Sequence, residues 1–129
     1  MKALLALFVT VASTVASAST RQPAVAGAFY SNDPVTLRAE VEQMLAAPSQ
    51  IDGVKALVVP HASHFYSGAV AGRGFATLDA KNLRRVILLG PSHYRAFAGG
   101  AFPAKGIESF TTPLGEVKLD AAAVASLRK

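Results

Sequence analysis

All three histidines of this chain lie just past the ends of two apolar runs, and that placement narrows the folds open to it. Lys55-Ala56-Leu57-Val58-Val59 leads into Pro60-His61-Ala62-Ser63-His64, and Arg85-Val86-Ile87-Leu88-Leu89 leads into Gly90-Pro91-Ser92-His93. The apolar stretch of each run is short and unbroken by polar residues, the pattern of a strand covered on both faces. Ser67 to Leu78 is long enough for an intervening helix, so residues 54–93 read as a βαβ unit with two parallel strands. Ligands of open α/β sheets collect beyond the carboxyl ends of the strands. Neighbouring strands lie only about 4.8 Å apart, so histidines two to four residues past both ends are placed to reach one point.

The flanking segments complete an α/β expectation: a mostly parallel β-sheet flanked by helices. Residues 21–30 read as an extended opening segment, in which Tyr30 is a packing residue. Asp33-Pro34 starts a helix, with Asp33 as N-cap and Pro34 at the first helical position. Leu37, Val41, Met44 and Leu45 then form one apolar stripe suited to covering a sheet face, with Arg38, Glu40, Glu42 and Gln43 turned away from it. That helix ends near Ala47-Pro48. Ser67 is the expected cap of a helix from Gly68 to Leu78, whose Gly68, Ala69, Ala71, Gly72 and Gly74 let its backbone lie close to the sheet. A short strand is expected near Gly100 to Phe102, a turn at Pro113-Leu114-Gly115, and a helix from Ala121 to Lys129 capped by Asp120.

The first 18 residues read as a signal peptide. Lys2 supplies the positive start, Ala3 to Val15 is almost wholly apolar, and Ala16-Ser17-Ala18 offers the small-x-small cleavage pattern. A helix over Ala3 to Ala18 would reach about 24 Å, short of the roughly 30 Å hydrocarbon core. The expectation is an exported chain, periplasmic or secreted, with residues 19–129 as one domain or part of one and no membrane attachment after cleavage. Loss of Lys2 lowers the net charge from +5 to +4. The remaining basic residues are scattered, which argues against nucleic acid as a partner. Without cysteine, disulfides and thiolate ligands within these residues are excluded.

His61 and His93 suit metal ligation by neutral imidazole, with a third ligand from elsewhere. They also suit acid–base work near neutrality, or a purely structural role in which the rings bond the loop backbone. His64, three residues from His61, is a candidate additional ligand. Ser67 and Ser92 lack the surroundings of a nucleophile, and neither lies in G-x-S-x-G. The glycine-rich stretches match neither G-x-G-x-x-G nor a phosphate-binding loop with its lysine, so nucleotide binding is rejected.

Five separated motifs carry a resemblance. Arg21-Gln22-Pro23-Ala24-Val25-Ala26-Gly27-Ala28-Phe29-Tyr30, Val59-Pro60-His61-Ala62, Tyr66-Ser67-Gly68, Leu89-Gly90-Pro91-Ser92-His93 and Thr112-Pro113-Leu114-Gly115 follow the order and spacing of the Memo family. Its bacterial members are also called AmmeMemoRadiSam system protein B. The resemblance implies a fold similar to class III extradiol dioxygenases and metal-site roles for His61 and His93. It implies iron or copper as the metal, with a third ligand, a cysteine, supplied by a later half of the family's sequence that is absent from this chain. It further implies metal-dependent redox or dioxygenase-like chemistry, or alternatively a non-catalytic module that binds a small molecule or peptide. In the alternative, the histidines, Arg95 and the start of the Ser67 helix are the donors. The chain departs from the family's Pro-His-Ala-Gly-Tyr stretch at Ser63 and His64. A sequence that stops inside a helix, after two or three strands, reads as the N-terminal part of something longer, or as an inactive fragment.

Overall fold

A computed structural model describes residues 19–46 and 51–128. The expected signal peptide lies outside the described residues.

Strand β1 (Ser19–Arg21) pairs in parallel with β2 (Ile107–Thr112), which pairs antiparallel with β3 (Gly115–Lys118). The fold is α/β with a small mixed sheet rather than a mostly parallel one. The Pro-Leu-Gly turn forms where the sequence places it: Thr112 faces Gly115 across the hairpin, and Gly115 takes φ +132°, a conformation glycine tolerates without strain. The strand expected near Gly100 to Phe102 forms later, at β2. Between β1 and β2, the buried Ser109 hydroxyl meets the Thr20 hydroxyl at 2.9 Å, so the polar group is satisfied where it leaves water.

Helix α1 (Pro34–Leu45) starts as expected. Asp33 accepts from the Thr36 N–H at 2.8 Å and from the Thr36 hydroxyl at 2.7 Å, with Pro34 at the first helical position. Helix α3 (Ala121–Leu127) is capped in the same way by Asp120, which accepts from the Ala123 N–H at 2.9 Å. Asp120 also accepts from Arg85 Nε at 2.7 Å, tying the residues before His93 to the start of α3.

Both cap carboxyls are held below the usual aspartate range, first by these backbone N–H bonds, then by the Thr36 hydroxyl for Asp33 and the Arg85 guanidinium for Asp120. A carboxyl lowered in the folded state stabilises above its unfolded pKa, and that contribution fades as pH falls through the folded value. Amide protection in α1 and α3 is therefore expected to drop on acidification below about pH 4. Asp33→Asn, which still accepts a cap bond but does not titrate, should flatten that response in α1. Hydrogen exchange across pH checks it, and an unchanged acid response in Asp33→Asn would refute the assignment.

The two apolar runs around the histidines depart most from expectation. Neither 55–59 nor 85–89 joins a strand ladder. Leu57 and Val59 are half-buried while Val58 is fully exposed, so only one face of that run is covered, and residues 85–89 are exposed throughout. An extended apolar segment becomes a sheet strand only where a neighbour offers hydrogen-bond partners and a covering layer. Among the described residues neither run finds a ladder partner, and only 55–59 is covered, on one face. Residues 22–30 likewise do not run extended: they turn at Gly27, which has φ +80°, and close with an isolated bridge between Ala26 and Tyr30.

Helix α2 (Ala69–Phe75) is shorter than expected and packs on α1 instead of on a sheet. Its small residues serve that contact. A Cβ at Gly72 would lie 2.5 Å from the Met44 carbonyl oxygen, and one at Gly68, just before the helix, 2.7 Å from the Met44 Sδ and Cε. Leu37, the first residue of the α1 stripe, is the one buried hydrophobic residue among those described.

Ser67 is not the helix cap. It lies inside a π-helical turn (His64–Gly68), and its hydroxyl donates to the Ala62 and Ser63 carbonyls at 3.1 and 3.5 Å. A serine already in helical conformation bonds back to the preceding turn instead of accepting from the next one.

Candidate metal centre

Two short loops carry the histidines. In the first, Pro60 ends the apolar run, and the Ser67 hydroxyl holds the Ala62 carbonyl directly after His61. In the second, Ser92 and Arg95 close on each other: the Ser92 hydroxyl donates to the Arg95 carbonyl at 2.6 Å and accepts from the Arg95 N–H at 3.3 Å. This turn carries His93 and Tyr94 at its tip, with their rings edge to face at 6.5 Å.

The loops bring His61 and His93 together. Their Nε2 atoms are 3.2 Å apart and their ring centroids 5.2 Å apart, with the planes inclined at 46°. Both residues are exposed, and neither ring has another hydrogen-bond partner among the described residues. The close approach of two residues 32 positions apart is the juxtaposition expected from their places past the two apolar runs, although those runs are not sheet strands here.

At this separation two neutral imidazoles share one N–H···N hydrogen bond. The same spacing fits an ion. Two nitrogens held about 2.05 Å from a tetrahedral metal lie roughly 3.3 Å apart, so little movement separates the paired state from a ligating one. Among the described residues no third histidine, cysteine, aspartate or glutamate joins the pair to make a group of metal-ligating size.

His64 turns elsewhere. Its Nδ1 lies 3.4 Å from Glu40 Oε2, its ring stacks at a tilt on Tyr30 at 5.6 Å between centroids, and its backbone N–H donates to the Phe29 carbonyl at 2.8 Å. These groups line a shallow cavity of about 210 Å³ with Ser31, Ser63 and Phe65. Glu40, expected to turn away from the apolar stripe, instead faces His64, while Tyr30 packs as expected, on the His64 ring. A signal was present: Glu40 stands three residues after Leu37 and four before Met44, hence on the same side of α1 as the apolar stripe. Ser67 does not open a helix, so the helix start assigned as a donor to a ligand-binding module is not formed there.

A family model described as Memo-like protein matches residues 21–129. The chain belongs to the Memo family. It is 33% identical over 108 residues to a MEMO1 family protein of Schizosaccharomyces pombe, covering 81% of this chain and 33% of that protein. It is 34% identical over 111 residues to the protein MEMO1 of Danio rerio, covering 84% of this chain and 36% of the relative. A MEMO1 family protein of Sulfolobus acidocaldarius is 37% identical over 114 residues, with 78% of this chain and 39% of the relative covered. This Memo chain therefore spans between a third and two fifths of the length of these curated relatives.

Proposed function

We propose that His61 and His93 are two ligands of a transition-metal site, with iron or copper as the ion, serving metal-dependent redox or dioxygenase-like chemistry. The observation that supports this reading is the 3.2 Å approach of their Nε2 atoms on exposed loops, together with the preference of imidazole for such ions. A bound ion of this kind would supply electron exchange and a Lewis-acid position to a phenolic or other small ligand.

The chain's own part is to hold and orient. Both imidazoles would bind in neutral form through Nε2, giving up their mutual hydrogen bond. Ser67 fixes the backbone after His61, and the Ser92–Arg95 turn fixes the backbone around His93. Exposure of both rings leaves the ion open to ligands from outside the described residues. A small molecule or peptide would approach from that side.

Metal content tests the reading. After exposure to iron or copper and gel filtration, the wild-type chain is expected to retain the ion, and the His61→Ala/His93→Ala double variant should fall to background. Equal metal in the two proteins would sink the site.

A further inference from the structure

Each residue of β1 is tied to the β2 side of the sheet. The Ser19 backbone N–H and hydroxyl both donate to the Gly106 carbonyl, at 3.1 and 3.0 Å. The Thr20 hydroxyl meets the buried Ser109 hydroxyl at 2.9 Å. Arg21 lays its guanidinium over the Phe110 ring at 5.2 Å, and its carbonyl accepts from the Thr111 hydroxyl at 3.3 Å. Directly before Ser19 the sequence reads Ala16-Ser17-Ala18, a small-x-small pattern behind an apolar stretch and a positive start. A cleavage signal and an anchored strand thus meet at one peptide bond. They draw on separate observations, residue size ahead of the bond and hydrogen bonding beyond it.

We propose that the Ala18–Ser19 bond is hydrolysed on export, before β1 pairs, and that the amino group so freed becomes the anchored start of the mature chain on the Gly106 carbonyl. The signal peptidase of the exporting cell adds one water across the bond. This leaves a carboxylate on Ala18 and an α-amino group on Ser19, which takes up a proton. The resulting ammonium keeps one N–H for Gly106, and its charge strengthens that bond. Its other N–H donors face water, because Ser19 is exposed. The order follows from the topology. A peptidase takes its substrate as free backbone, whereas pairing commits the Ser19 N–H to Gly106. Gly106 lies 87 residues further along the chain, and pairing at such a separation is slow to form. The bond is therefore open to the peptidase before its partner strand arrives.

The full 129-residue chain, expressed in a bacterium that exports it, is read by intact mass and N-terminal sequencing. The exported protein is expected to begin at Ser19, and Ala18→Asp, which breaks the small-x-small pattern, should keep residues 1–18. A wild-type chain beginning at Met1, or at any residue other than Ser19, overturns the cleavage. Digestion of the mature chain by an aminopeptidase reads the anchor. Ser109→Ala leaves the sequence under attack untouched but removes the hydroxyl that Thr20 meets, so it should be trimmed roughly fivefold faster than wild type. Equal trimming of the two overturns the anchored start, whatever the cleavage result. Purified uncleaved precursor should also be cut by added signal peptidase roughly fivefold faster when it carries Ser109→Ala. Equal cutting of the two precursors overturns the stated order.

Discussion

Gly72→Ala is expected to loosen α1 and α2 together, raising the opening of both helices roughly 5- to 150-fold, or about 1–3 kcal/mol. Two effects oppose each other in this substitution. Alanine favours a helix over glycine by about 1 kcal/mol, which taken alone would tighten α2. Against it stands contact with backbone: the new Cβ would meet the Met44 carbonyl oxygen at 2.5 Å and the Met44 carbonyl carbon at 2.8 Å. Neither atom moves without moving α1, so the helices must separate. The steric term wins. Gly68→Ala is the internal control, because the sole atoms its Cβ would meet closer than 3.0 Å are the Met44 Sδ and Cε, the far end of a side chain that can turn away. Its effect should stay within about 1 kcal/mol. Hydrogen exchange at the α1 and α2 amides reads both variants. Protection in Gly72→Ala equal to that of wild type would show that the helices do not meet as closely as described. The consequence reaches the histidines as well, since α2 continues directly from the π-helical turn in which Ser67 holds the loop after His61.

Local chemistry made parts of this arrangement legible in advance. A capping aspartate before proline, a capping aspartate before alanines and a Pro-Leu-Gly turn each act over three or four residues, and each forms as its own atoms dictate. The pairing of His61 with His93 was also legible, because two loops carrying histidine after apolar runs point to one place. What the runs themselves do depends on partners distant in sequence. Residues 55–59 and 85–89 have the composition of buried strands, yet burial is a property of the layer that covers them, and composition does not say where that layer comes from. The small residues from Gly68 to Gly74 likewise announce a close approach without naming its object, which proved to be Met44 for Gly68 and Gly72 and the half-buried Val59 for Gly74. Ser67 misled for a related reason. A serine before a helix and a serine within its first turn look alike in sequence, and only the backbone angle decides whether the hydroxyl accepts or donates.

The metal-free chain is expected to bind a hydrophobic dye several-fold above a well-packed protein of its size and to melt over a broad range without a sharp transition. Val58, Ile87, Leu88 and Leu89 are 101%, 66%, 82% and 92% exposed. Burying a side chain of this kind is worth about 1.5–3 kcal/mol, so the four together leave roughly 6–12 kcal/mol unrealised. Whole domains are stable by only about 5–15 kcal/mol, which makes this surface comparable to everything else that holds the fold. An apolar stripe without hydrogen-bond partners along its backbone is also a template for indiscriminate pairing with other chains. Leu88→Lys/Leu89→Lys should therefore cut dye binding and disperse the association, while leaving the helical circular dichroism of α1 and α3 in place. Dye fluorescence, light scattering and thermal melts in EDTA decide the matter. A sharp two-state melt of a metal-free monomer at background dye signal would show that the 85–89 surface is covered in solution. Association that persists in the double lysine variant would place its cause elsewhere, with Phe65 and Tyr66, 89% and 80% exposed in the π-helical turn, the next side chains to replace.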